Sequence, residues 1–212
     1  MPNADVRFPA EWEPQAAVLI AWPHAGTDWA ARLGEVEETY IALVAAITRF
    51  QPVVVCVPDD DVETYADLRL RSNRVDPAQV RFVQVGYDDT WLRDSGPITL
   101  REGTGFRLLD FCFTAWGGKF EAGRDDRLVE RLHAQGLFRD AVRTRIDFAL
   151  EGGAIETDGA GTLLTTWRCL HARHPDLGRE ELPMPLPRWL HPPRVRWLAH
   201  GALDADDPDA HR

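Results

Sequence analysis

The fold class this sequence predicts is α/β, and three observations predict it. Two short, continuous apolar runs, Ala16 to Trp22 and Val53 to Val57, read as buried strands; Pro23 stops the first, and Pro52 and Pro58 bracket the second. Between them, Glu35 to Phe50 carries apolar residues at helical spacing. The alternation then returns down the chain as strand pairs, helix and strand, at a period of roughly 50 to 70 residues. No stretch reads as a linker, so residues 1–212 are expected to form a single domain.

The elements follow in order. Residues 1–7 read as a loose lead-in, and 28–34 as a loop or a short turn of helix. In the helix from Glu35 to Phe50, Val36, Tyr40, Leu43, Val44 and Ile47 are expected to face inward. Glu35, Glu37 and Glu38 open it, where the helix dipole favours negative charge. Asp59-Asp60-Asp61 suits the N-cap of a helix running to Leu70 better than a metal site. Val80 to Val85 is a third strand. Ile98 to Leu100 and Phe106 to Phe111 pair as a hairpin across Arg101 to Gly105. Gly123 to Gly136 reads as a helix with Leu128, Val129 and Leu132 inward. Ala141 to Phe148 and Ala154 to Thr157 are strands, and Asp158-Gly159 turns into Leu163-Leu164-Thr165. Residues 177–190 lie where a helix belongs, but Pro183, Pro185 and Pro187 argue against a regular one. Val195 to Leu198 is the last strand. Trp12, Trp189 and Trp197 are expected to pack, and His24, His171, His174 and His191 to lie on the surface.

Composition narrows the function. Apolar residues make up 44% of the 212, enough for a real core. A net charge of −10 argues against nucleic acid or anionic lipid as partner and suits a cationic ligand. No apolar run approaches the roughly 18 residues of a membrane span, and the first residues show no apolar leader, so a cytoplasmic protein is expected. Cys56, Cys112 and Cys169 form neither a disulfide framework nor a metal-ligand pattern.

Thr90-Trp91-Leu92-Arg93-Asp94-Ser95-Gly96-Pro97 places an aromatic ring, a cation and a carboxylate within four residues, after a strand. Taken alone it also suits a surface Arg93/Asp94 pair in a Gly-Pro turn, and Glu151-Gly152-Gly153 alone suits a turn. Further segments join these in order: Pro9 to Pro14, Ala21-Trp22-Pro23, Ala115-Trp116-Gly117-Gly118-Lys119, Gly161 to Thr166, and Asp206-Asp207-Pro208-Asp209-Ala210-His211. Together they resemble the agmatine deiminase family, relatives of the bacterial-type peptidylarginine deiminases. The resemblance implies a pentein, an α/β propeller of five ββαβ units around a central active site, of which this chain is expected to supply about three. It also implies hydrolysis of agmatine to N-carbamoylputrescine and ammonia, on a route to polyamines, without metal or organic cofactor.

Deimination needs carboxylates to hold the planar cation, a nucleophile for its central carbon and a His to move protons. By resemblance, Asp94 binds the guanidinium, Glu151 stands beside the catalytic His, and His211 is that His. Trp22, Trp91 and Trp116 correspond to aromatic positions of the substrate channel. The chain departs from the family pattern at its end: Pro208 stands for Thr, Ala210 for Gly and Arg212 for an apolar residue, and the acidic residue two positions after the His has no counterpart. No cysteine matches the family's nucleophile. A C-terminally truncated deiminase domain with little activity alone is therefore expected. Its open arc would expose strand edges, so pairing with another chain, a homo-oligomer included, is expected as well. The same motifs suit a peptidyl-arginine or arginine deiminase, or a non-catalytic binding module or gene remnant.

Overall fold

The computed structural model describes residues 6–198. In chain order the elements are β1 (Val6–Arg7), β2 (Val18–Ala21), α1 (Leu33–Ile47), β3 (Val53–Val57), α2 (Asp60–Ser72), β4 (Val80–Gln84), α3 (Leu92–Ser95), β5 (Ile98–Glu102) and β6 (Gly105–Cys112). They continue with α4 (Leu128–Ala134), β7 (Val142–Ala149), β8 (Ile155–Thr157), β9 (Thr162–Thr166), α5 (Trp167–Arg173), α6 (Pro185–Leu190) and β10 (Arg194–Leu198). The described residues fall into two compact units. The smaller comprises Pro14–Leu92 and Glu121–Leu132; the larger comprises 6–13, 93–120 and 133–198. Among the described residues no helix is long and apolar enough to cross a membrane.

The smaller unit is built on a parallel sheet of order β2-β3-β4. Its central strand, Val-Val-Val-Cys-Val, pairs on both edges, and Val53, Val55, Cys56 and Val57 are fully buried. Burial on both faces is why this strand reads as an unbroken apolar run. Ile20, Trp22, Ile41, Val44, Ala66 and Leu70 complete the core. The cap before α2 forms as expected: Asp59 is extended and accepts the Val62 N–H at 2.9 Å. The inward face of α1 differs from expectation. Its buried residues are Glu37, Ile41 and Val44, while Leu43 is exposed. Glu37 is drawn in because it accepts hydrogen bonds from the Tyr65 hydroxyl at 2.9 Å and from Arg69 at 3.4 Å, both on α2.

Two buried groups hold the loop after β4. The Tyr87 hydroxyl donates to the Trp22 carbonyl at 2.6 Å. The Asp125 carboxylate accepts the Asp88 N–H at 2.7 Å and the Asp89 N–H at 3.2 Å. Burial pushes the Asp125 carboxyl up to about 6, against the pull of those two donors.

The larger unit contains two sheets, of order β1-β5-β6-β7 and β10-β9-β8. In the first, β5 and β6 form the expected antiparallel hairpin, with Gly103 in the turn at φ 56°, and β7 returns parallel to β6. In the second, β8 and β9 are the antiparallel pair and β10 returns parallel to β9. Both therefore repeat one plan: a hairpin, then helical chain, then a third strand beside the hairpin's second. Leu100, Leu163, Leu182, Leu186 and Leu190 lie at the centre of the core, with Trp189 and Trp197 packed against it as expected. In the smaller unit, Leu128, Val129 and Leu132 of α4 are buried as expected, on a helix shorter than the sequence suggests.

Several expectations need correction. A regular helix does form at Pro185–Leu190. Pro185 is its first residue and Pro187 lies in its first turn, where a missing N–H breaks no intrahelical bond, and Leu186 and Leu190 are driven inward. Helix α5, begun by Thr166 accepting the Cys169 N–H, was not expected from the sequence. Trp12 is 77% exposed and packs little. The four histidines are half-buried rather than on the open surface, and aromatic neighbours help to cover His24, His171 and His174. His174 stacks on Phe148 at 3.8 Å and its Nε2 lies 2.8 Å from the Ala149 carbonyl, while His171 stacks on Trp167 at 5.0 Å.

Candidate functional site

Within the larger unit, the chain brings Asp94 and Glu151 together. Asp94 sits in the single turn of α3, and Glu151 follows the end of β7. The link is the Gly153 N–H, which donates to Asp94 Oδ1 at 3.1 Å across 59 residues of chain. A Cβ on Gly153 would lie 2.2 Å from that oxygen, and one on Gly152 would lie 2.4 Å from the Arg93 carbonyl. The two glycines are thus a condition of the approach.

Asp94 is half-buried, and its carboxyl is raised above the usual carboxylate range. Burial is the main cause and the charge of Glu151 the next; the Gly153 N–H, the Trp116 indole and Arg93 pull the other way. Trp116 reaches Asp94 from an unusual turn. Ala115, Trp116, Gly117 and Gly118 have φ of 45°, 59°, 91° and 84°, so two non-glycine residues occupy the left-handed region. Such residues cost about 1–3 kcal/mol each and persist only where their surroundings hold them. Here Thr114 does so: its Oγ1 accepts the Gly117 N–H at 3.1 Å and its carbonyl accepts the Gly118 N–H at 2.7 Å. The Trp116 ring meets Phe113 edge-on at 5.5 Å and Phe120 at 5.9 Å.

Glu151 is 3% exposed, and its carboxylate accepts from Arg173 Nε at 2.9 Å. Arg173 is the residue that sequence reasoning missed. The one available signal is that a buried carboxylate needs a counter-charge, which does not say which Arg supplies it.

The smaller unit holds two more of the expected residues. Trp22 is fully buried in that unit's core, with its ring edge-on to Tyr40 at 6.0 Å; its Nε1 has no partner among the described residues. Trp91 is 38% exposed, with its ring 5.6 Å from that of Trp29. The Trp29 indole donates to Thr90 Oγ1 at 2.8 Å. His211 and the segment from Asp206 lie outside the described residues. Of the cysteines, Cys56 is a core residue whose thiol burial pushes up to about 12. Cys112 and Cys169 are half-buried, Cys112 with Arg145 at 3.3 Å and Cys169 in the first turn of α5.

Chemically, the larger unit offers two adjacent carboxylates, one carrying an internal counter-charge, beside an indole. Carboxylates pair well with a planar cation that carries several N–H donors.

The chain is 36% identical over 220 residues to the agmatine deiminase of Pseudomonas aeruginosa (strain LESB58), covering 99% of this chain and 57% of that protein. It is 35% identical over 213 residues to the agmatine deiminase of Stutzerimonas stutzeri (strain A1501), covering 96% and 55%. The chain therefore spans little more than half the length of these curated relatives. Among solved structures, C. jejuni agmatine deiminase with substrate bound superposes with a TM-score of 0.85 at 29% identity, over 97% of this chain and 60% of that one. The agmatine deiminase of Enterococcus faecalis gives 0.83 at 30% identity, over 95% and 55%. These neighbours are pentein-fold proteins, and the chain has their fold class over the part it covers. The model of the Porphyromonas-type peptidyl-arginine deiminases matches residues 7–211, and the chain belongs to that family.

Proposed function

We propose that these residues are the guanidinium-holding part of an agmatine deiminase. The reaction is hydrolysis of the guanidinium: water enters at the central carbon, ammonia leaves, and N-carbamoylputrescine remains. The observation that carries this reading is the junction of Asp94 with Glu151-Gly152-Gly153 inside one unit. Asp94 would pair with the cation's N–H groups, and Trp116 would border it. By resemblance to the family, Glu151 would serve the catalytic His, a role that falls to His211 as general acid and base, and Trp91 and Trp22 would match its aromatic positions. The agmatine deiminases among the relatives support the substrate.

Calorimetry with agmatine tests it. The chain should bind agmatine, and Asp94→Asn should weaken binding by tenfold or more, as loss of a charged hydrogen-bond partner costs about 1.5–3 kcal/mol. No cysteine among the 212 residues is assigned as nucleophile, so turnover by them is expected on the order of a millionfold below a normal enzyme's. Release of ammonia and N-carbamoylputrescine at an ordinary enzymatic rate would contradict that assignment. The family's own description favours a second reading, peptidyl-arginine as substrate. An arginine-containing peptide that binds more tightly than agmatine would select it.

A further inference from the structure

We infer that Arg173 is a positioning residue for this site: it holds Glu151 by one carboxylate oxygen and offsets its charge, so that the negative charge left for a cationic ligand lies on Asp94. The inference rests on the deiminase reading of Asp94 and Glu151. The side chains of Arg173 and Glu151 are 7% and 3% exposed, and the Nε–Oε1 distance is 2.9 Å. Keeping a carboxylate so enclosed in its charged form is costly, and a partner of opposite charge offsets that cost. Among the described residues Arg173 is the one cation paired with it.

The placement of α5 is a second observation. Arg173 is its last residue, where the helix dipole favours a cation. The same end of α5 packs on the left-handed turn that carries Trp116: a Cβ on Gly117 would lie 3.2 Å from the Ala172 carbonyl. One helix end therefore meets two of the groups that act on Asp94, Glu151 and Trp116. The other charged groups facing the pair are otherwise engaged. Arg93 is half exposed and pairs with Glu11 and with Glu156, the latter at 3.1 Å, so solvent screens its effect on Asp94. His174 lies against the Ala149 carbonyl.

Without Arg173, the uncompensated charge of Glu151 would act on Asp94, which already holds its proton more tightly than an ordinary aspartate. The test follows the Asp94 carboxyl carbon by NMR as pH is lowered, in the wild type, Arg173→Lys, Arg173→Met and the double variant Glu151→Gln/Arg173→Met. In Arg173→Met the Asp94 midpoint should move up by about one pH unit, a tenfold change in proton affinity. Arg173→Lys should keep the wild-type midpoint, and the double variant should return to it or fall below it. A folded Arg173→Met with an unchanged midpoint overturns the inference. If Arg173→Met does not fold, a double variant whose midpoint stays above the wild type overturns it. Agmatine calorimetry on the same proteins separates the two readings. Failure of the wild type to bind sinks the deiminase reading, whereas an unmoved Asp94 midpoint sinks the role of Arg173.

Discussion

Asp125 of the smaller unit and Glu151 of the larger one are each 3% exposed, yet they are buried by different means. Among the described residues Asp125 receives only backbone donors, the N–H groups of Asp88 and Asp89, and burial raises its carboxyl to about 6. Glu151 receives a guanidinium, from Arg173. Amide donors fix a loop but leave much of the cost of burying a charge in place, so the group takes up a proton easily. A guanidinium offsets the charge itself, so the carboxylate depends on that one partner. The first arrangement suits a structural loop; the second suits a carboxylate whose charge is cancelled locally, next to another that is left to present it.

The strongest way to break this contrast is to remove the guanidinium. Arg173→Met should destabilise the larger unit by about 3–5 kcal/mol, the usual effect of stranding one member of a buried ion pair. Urea denaturation measures it, and a loss below about 1 kcal/mol would mean that the pair is solvated like a surface one. Gly152→Ala comes next. Its Cβ would meet the Arg93 carbonyl, a backbone atom that cannot rotate away, so a loss of about 1–3 kcal/mol is expected. Agmatine affinity should fall with it, since the substitution pushes Asp94 away from Glu151. An alanine variant as stable as the wild type would show that the two segments do not need so close an approach.

The smallest effect sharpens the other side. Folded Asp125 keeps its proton up to about 6, whereas the unfolded chain releases it in the ordinary aspartate range. Its contribution to stability is therefore most favourable below that ordinary range and declines as pH rises to about 6. Asp125→Asn keeps an oxygen to accept the two N–H groups and removes the titration, so this decline should vanish from stability measured against pH. An unchanged pH dependence would assign the decline to other groups.

What could be read in advance follows from how far each interaction reaches along the chain. The buried strand Val53–Val57 and the Asp59 cap of α2 were legible because apolar runs, prolines and N-cap side chains act over a few residues. Asp94 and Glu151 stand out by resemblance to a family, not by periodicity. The inward face of α1 was misread because Glu37 is satisfied by Tyr65 and Arg69, 28 and 32 residues away. The helix at Pro185–Leu190 was missed because prolines break a helix only beyond its first turn, and their position relative to that turn was not visible. Residue type alone suggests packing for Trp12, but type does not say what will cover a ring.

The sequence by itself determined the α/β alternation, the Asp59 cap, the hairpin between β5 and β6, and the family to which the chain belongs. Only the tertiary structure decided that Gly153 donates to Asp94, that Ala115 and Trp116 are held in left-handed backbone, and that Arg173 is the partner of Glu151. The reason is physical: backbone preferences and capping bonds are settled within a turn or two of chain, whereas the cost of burying a charge is met by whichever group the folded path brings within about 3 Å.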